Sequence, residues 1–183
     1  MKKKNRFFKS LRFRILIILV ILGIVPSVIV TRMMIGNYEK QAVAVRAGAV
    51  SNQCSILCNQ IIKENYLNDP SSEAVNGKLE MLSNVYGGRI LIVDRDFKIV
   101  KDTYHVDEGK TLVSPKIIRS FKKGEPTDYQ RKGQVIEFAV PVRSADVPQI
   151  QGAMLVTISC SEITATMMEL NYQEIGRASC RER

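Results

Sequence analysis

The longest apolar run in the chain is Ile15 to Val30, ILIILVILGIVPSVIV, which contains no charged residue. Gly23 and Pro26 inside it suit a membrane helix, where lipid offers the backbone no alternative hydrogen-bond partners. Extended to Ile35, with the Arg32 side chain reaching toward the interface, the run rises about 30 Å, enough to cross a bilayer. Residues 1–14, MKKKNRFFKSLRFR, form a basic arm with Lys2, Lys3, Lys4, Arg6, Lys9, Arg12 and Arg14 and no acid. This asymmetry places the N-terminus in the cytoplasm and everything after Val30 outside. The alternative is a cleaved signal peptide. No small-x-small site follows the run, because Thr31-Arg32-Met33-Met34 comes next, so an uncleaved anchor over Ile15 to Ile35 is expected.

Beyond the anchor the pattern stays helical. Val43, Ala47, Val50, Cys54, Leu57 and Ile61 are spaced four, three, four, three and four apart, an a/d seam of nearly three heptads. Two readings share this pattern: a stalk pairing with its copy in a parallel homodimer, or a helix laid on its own domain. The dimer seam is the expectation carried forward, and it puts Cys54 near the two-fold axis. Asn68-Asp69-Pro70-Ser71-Ser72 then supplies a turn and an N-cap. A second helix is expected to about Val85, with Leu79, Leu82 and Val85 on one face, and Tyr86-Gly87-Gly88 ends it.

After Gly88 the period shortens. Arg89 to Val93 and Phe97 to Val100 read as a hairpin turning at Asp94-Arg95-Asp96. A polar connection, 101–110, holds Tyr104, His105 and Asp107. Ser114-Pro115 opens a short helix with Ile117, Ile118 and Phe121 inward and Gly124 as its stop. A short strand around 128–131 turns at Lys132-Gly133 into two long strands, 134–142 and 152–159. Ser159-Cys160-Ser161-Glu162 is a capping box, so an exit helix carrying Met167, Met168 and Leu170 is expected. The fold class is α+β: an N-terminal transmembrane helix continuing into a long stalk helix, then an antiparallel sheet with flanking helices. The segments read as arm 1–14, membrane helix 15–35, stalk and second helix 36–86, sheet 87–160 and exit helix 161–173.

Charge removes one class of function. The formal net charge is +9, yet seven of the 27 basic residues sit in the N-terminal arm. Between Thr31 and Gln173 there are 17 Lys or Arg against 16 Asp or Glu, which leaves no basic face for nucleic acid. The last ten residues, EIGRASCRER, back-translate as GAG ATC GGA AGA GCG TCG TGT AGG GAA AGA, the sequence of a common short-read sequencing adapter. Residues 174–183 are therefore set aside, Cys180 included, and the natural protein is expected to continue past Gln173. The remaining Cys54, Cys58 and Cys160 are odd in number and make no internal disulfide framework. Cys54 and Cys58 lie one turn apart without a neighbouring His, so packing is expected there rather than a metal site.

The order of these elements resembles the extracytoplasmic Cache (PAS-like) sensor domain of bacterial sensor histidine kinases, notably the cell-wall and phosphate-type kinases of Gram-positive bacteria. The resemblance runs from Lys2 to Gln173 and is strongest at Ala139-Val140-Pro141-Val142-Arg143 and Gly152-Ala153-Met154-Leu155. It implies a homodimeric membrane sensor for an unknown small ligand or extracytoplasmic partner, with helix shifts passed through a second membrane span. The kinase, its ATP and Mg, and its response regulator would belong to the missing half. No cofactor and no catalytic residue is expected in this portion. A chemoreceptor or a cyclic-dinucleotide enzyme has a similar front end, and the sequence past Gln173 separates them. The resemblance places a pocket over one face of the sheet, making Tyr104, His105, Tyr129 and Arg143 the candidate ligand residues, with Arg143 suited to a carboxylate.

A rival of another class is a sortase-like transpeptidase, with Cys160 as nucleophile and His105 as partner. Its Cys setting is Thr-Leu-x-Thr-Cys, whereas this chain has Val156-Thr157-Ile158-Ser159-Cys160 beside Glu162, with no downstream Arg before residue 177. A thiolate needs a more positive surrounding than that.

Overall fold

The computed structural model describes residues 11–143 and 149–161, with Ile163 and Ala165. The arm up to residue 10, Asp146, Glu162, the exit helix beyond Ala165 with Met167, Met168 and Leu170, and the tail 174–183 lie outside the described residues. The chain divides into two compact units, Met1–Gln41 and Ala42–Arg183.

Helix α1 spans Leu11–Lys63 and has Pro26 within it. In the first unit its large apolar side chains, Leu16, Leu19 and Leu22 among them, are exposed. Near the N-terminus this helix is long and apolar enough to cross a membrane, by length and composition.

In the second unit α1 is a core element. Val43, Ala47, Val50, Cys54, Leu57 and Ile61 are buried at 0–3% exposure, packed with Ile92, Phe138, Val140, Met154 and Val156 of the sheet. This corrects the seam expectation. The domain's own core, drawn from the sheet and from Val75, Leu79 and Leu82 of the next helix, covers these positions, so they cannot also face a second copy. A 4,3 apolar spacing marks a buried stripe without specifying what buries it. Burying Val43, Val50, Leu57 and Ile61 is worth about 1.5–3 kcal/mol each, which makes the seam part of the domain's stability.

Helix α2 (Glu73–Tyr86) is capped by Ser72, whose hydroxyl accepts from Val75 N–H at 3.3 Å, and ends at left-handed Gly87. Val75, Leu79, Leu82 and Ser83 face inward, while Val85 is exposed. Each three-residue step falls about 60° short of a full turn, so Val85 drifts off the face that Leu79 and Leu82 share.

Five strands follow: β1 (Gly88–Asp94), β2 (Ile99–Asp102), β3 (Gln130–Lys132), β4 (Val135–Val142) and β5 (Gly152–Ser159). Their order is β2-β1-β5-β4-β3, antiparallel throughout. The last strand is thus the middle one, with Leu155 opposite both Leu91 and Ala139. β1 and β5 approach so closely that a Cβ on Gly88 would stand 2.2 Å from the Thr157 carbonyl. β2 begins two residues later than the sequence suggests. The Asp94 carboxylate accepts from the N–H groups of Asp96 and Lys98, both at 2.9 Å, and Phe97 takes φ 60°. That turn consumes Phe97 before pairing starts.

Helix α3 (Pro115–Lys123), between Ser114 and left-handed Gly124, covers the other sheet face. Leu91, Val93, Ile99, Ile117, Ala139, Ala153 and Leu155 form this smaller core, with Phe97 and Phe121 rings 5.5 Å apart at its rim. Of the expected inward residues, Ile117 is buried, Phe121 and Ile118 are half-buried, and Lys116 and Ser120 are buried beside Ile117.

Candidate functional site

The two edges of the sheet carry different chemistry. At the β2 edge Asp102 is fully buried, and its two oxygens accept five hydrogen bonds. Arg89 donates from Nε (2.9 Å) and Nη2 (2.6 Å), and the backbone N–H groups of Tyr104, Val106 and Asp107 donate at 2.9–3.0 Å. Burial is the largest single influence on its pKa and raises it. The Arg89 bond and the three backbone donors together outweigh burial and hold the carboxyl well below its ordinary value. Arg89 also reaches Asp107 at 2.6 Å, and its guanidinium lies 5.6 Å from the Tyr104 ring centre. His105, at φ 55°, is exposed and has Nδ1 3.2 Å from Glu108 Oε1, which Lys101 also meets at 3.0 Å. Tyr104 and His105 therefore sit on a loop tied to its own base.

Tyr129 lies at the opposite edge, just before β3. Four inter-strand steps separate the edges, roughly 19 Å. Arg143 is exposed after β4, with Nη1 3.8 Å from where a Cβ on Gly124 would stand, at the end of α3. The structure does not bring the four candidate residues together.

What it does assemble at the β3 edge is a cleft of about 400 Å³ between α3 and the segment 125–130. Lys116, Arg119, Lys123, Glu125, Asp128 and Tyr129 contribute its functional lining. The Lys116 side chain is only 11% exposed. Its ammonium donates to the Glu137 carbonyl at 2.6 Å and lies 3.7 Å from Glu137 Oε2, which Lys132 meets at 3.2 Å. Burial, the largest cause, lowers the Lys116 pKa, and Glu137 opposes it. Thr127 fastens the segment to β4: its N–H donates to the Ala139 carbonyl, and Ala139 N–H donates to its Oγ1, each at 2.8 Å. Thr127, Asp128 and Tyr129 also line a second cleft of about 210 Å³, whose far wall is Ala44, Ala47, Gly48 and Ser51 of α1. One short segment thus separates the α3 cleft from α1.

Sequence reasoning passed over Lys116, Arg119 and Lys123. Their i, i+3, i+7 spacing in PKIIRSFKK puts three cations on one helical face, a signal that was present. Among the described residues no group of three His, Cys, Asp or Glu stands close enough to hold a metal ion. Cys160 is fully buried in the core beneath α1, where no substrate can reach its sulfur.

No family model and no curated protein matches this sequence. Solved structures do resemble the fold. The sensor domain of the V. cholerae histidine kinase DctB superposes with a TM-score of 0.59 at 16% identity, covering 75% of this chain and 58% of that one. An extracellular ligand binding receptor from Desulfohalobium retbaense superposes more loosely, with a TM-score of 0.42 at 19% identity over 63% of this chain and 25% of that one. So does a sensory box sensor histidine kinase from Vibrio cholerae (0.36, 16%, 47% and 94%). The chain spans a little over half the length of the DctB sensor domain. With its apolar helix followed by a β2-β1-β5-β4-β3 sheet between helices, the chain has the α+β fold of the PAS/Cache-like sensor domains that histidine kinases carry.

Proposed function

We propose that this chain is the sensing portion of a membrane-bound two-component histidine kinase. The N-terminal arm is cytoplasmic, α1 crosses the membrane, and the sheet domain lies outside. A ligand in the α3 cleft displaces segment 127–129 against α1, and α1 with the exit helix carries the change inward. The second span, the phosphoacceptor helices, the ATP and Mg site and the response regulator contacts belong to sequence past Gln173. The working unit is a homodimer. Since the 43–61 stripe is buried, the copies meet through another face of the domain.

The observation that carries this reading is the double role of Thr127, Asp128 and Tyr129, which line the α3 cleft on one side and face Ala44, Gly48 and Ser51 on the other. Small residues on α1 give the segment room to move, since a Cβ on Gly48 would meet nothing within 4 Å. A ligand shifts such an equilibrium only by its difference in affinity for the two positions.

Two measurements test the proposal. Reading the source gene through the Gln173 codon should reveal a second apolar span followed by a histidine-bearing helical hairpin and an ATP-binding domain. Methyl-accepting helices or a nucleotide cyclase in their place keep the sensor and replace the output. A reading frame without any second span overturns the proposal. Alkaline phosphatase fused at Gln173 should be active and β-galactosidase fused there inactive. The reverse result overturns the topology.

A further inference from the structure

The α3 cleft is split by charge. Arg119 and Lys123 stand on its helical wall, and Glu125 and Asp128 stand on the segment that closes it. Among the described residues no ion pair involves any of these four, whereas Lys116 and Lys132 both pair with Glu137. A plain anion entering the cleft meets two carboxylates, and a plain cation meets a guanidinium and an ammonium. A ligand carrying both signs at its two ends meets a complementary group at each.

Size narrows the class. At about 30 Å³ per water, 400 Å³ is the share of roughly a dozen waters, close to the heavy-atom number of a dipeptide and about twice that of alanine. The half-exposed Tyr129 ring, with Pro115 and Pro126, offers the uncharged surface on which the body of such a ligand can lie.

We propose that the α3 cleft binds a free peptide of two or three residues. Its terminal carboxylate is taken by Arg119 and Lys123, and its terminal ammonium by Glu125 and Asp128. The peptide ties the helical wall to segment 125–128, and so acts on the segment that faces α1. The inference deepens the sensing role proposed above and depends on it only for its biological meaning.

The test uses the full chain in lipid nanodiscs and isothermal titration with trialanine. The controls are alanine, N-acetyl-trialanine (carboxylate only) and trialanine amide (ammonium only). Saturable binding of trialanine is expected, with each capped form and alanine at least about tenfold weaker, the worth of one charge-assisted contact. Arg119→Gln and Asp128→Asn should each weaken trialanine by a similar factor while leaving the melting temperature unchanged, since both side chains are exposed. The inference is overturned if neither trialanine nor dialanine, titrated alongside it, shows saturable binding to the folded chain. It is also overturned if N-acetyl-trialanine binds as well as trialanine, or if Asp128→Asn changes nothing. Trialanine binding in a chain whose gene encodes no kinase sinks the kinase reading alone. A kinase gene without binding of either peptide sinks this inference alone.

Discussion

Replacing Asp102 with asparagine removes one acceptor oxygen from a side chain on which both oxygens are in use. Oδ1 accepts from Arg89 Nε and Tyr104 N–H, and Oδ2 accepts from Arg89 Nη2, Val106 N–H and Asp107 N–H. Whichever way the amide is turned, two or three donors lose their partner and meet an NH2 group, in a site with no solvent access to Asp102. Each orphaned donor costs about 1–3 kcal/mol, and Arg89 also loses its buried counter-charge. Arg89 keeps Asp107 and is 28% exposed, so part of the loss is recovered and the net cost is about 3 kcal/mol. For a domain of this size that lowers the melting temperature by roughly 10 °C. Thermal unfolding of the full chain in nanodiscs, followed by circular dichroism, reads it directly. Asp107→Asn is the comparison: its half-buried carboxylate pairs with the part-exposed Arg89 and the exposed Lys110, so its loss should cost only a small part of the Asp102 loss. A melting temperature for Asp102→Asn within error of the parent, or equal losses for the two variants, refutes the account of Asp102 as the loop's anchor.

Three further outcomes are expected. The folded pKa of Asp102 lies far below its unfolded value of about 3.9, so its contribution is complete above that pH and is lost as pH falls toward the folded value. The parent should therefore show a melting temperature insensitive to this group from pH 7 to about 5 and falling below about 4, with Asp102→Asn flatter in that range. Cys54 is buried with its thiol pushed up to about 12 by desolvation, so neither iodoacetamide at neutral pH nor an oxidant should modify or crosslink it in the folded chain. A Cys54–Cys54 crosslink in intact membranes would contradict the packing of α1 on the sheet. Gly88→Ala forces a Cβ to within 2.2 Å of the Thr157 carbonyl and should cost about 3 kcal/mol, read as a lower melting temperature, whereas Gly77→Ala, with open space around it, should not destabilise.

Local chemistry made much of this molecule legible in advance. The uncharged run, the Ser72 and Ser114 caps, the Gly87 and Gly124 stops and the turn at Gly133 are each set by neighbours a few residues away. The α3 boundaries and β5 were readable for that reason. Two errors at element level were also local in origin. The Asp94 turn delayed β2, and Val85 slipped round the helix from its expected face.

The candidate ligand residues fared differently because a site is a long-range object. Tyr104 and His105 follow β2, and Tyr129 precedes β3. Only the strand order sends those two strands to opposite edges of the sheet. Arg89 and Asp102 are thirteen residues apart and meet because β1 pairs with β2. The α3 cleft exists because segment 125–130 folds back beside its own helix.

By itself, then, the sequence determined which stretch is apolar enough for a membrane and, apart from the start of β2 and the face of Val85, where the elements form and which side of them is buried. Periodicity and capping are properties of adjacent residues, and they carry that information. The tertiary structure decided what each buried side is buried against. The 4,3 stripe from Val43 to Ile61 suits a partner helix and the chain's own core equally, and here α2 and the sheet take it, with β5 at the centre of that sheet. It also decided which charges find partners. Glu137 holds Lys116 and Lys132, while Arg119, Lys123, Glu125 and Asp128 line one cleft with no ion pair among the described residues. Pairings of that kind depend on distances across the fold, which no local pattern encodes.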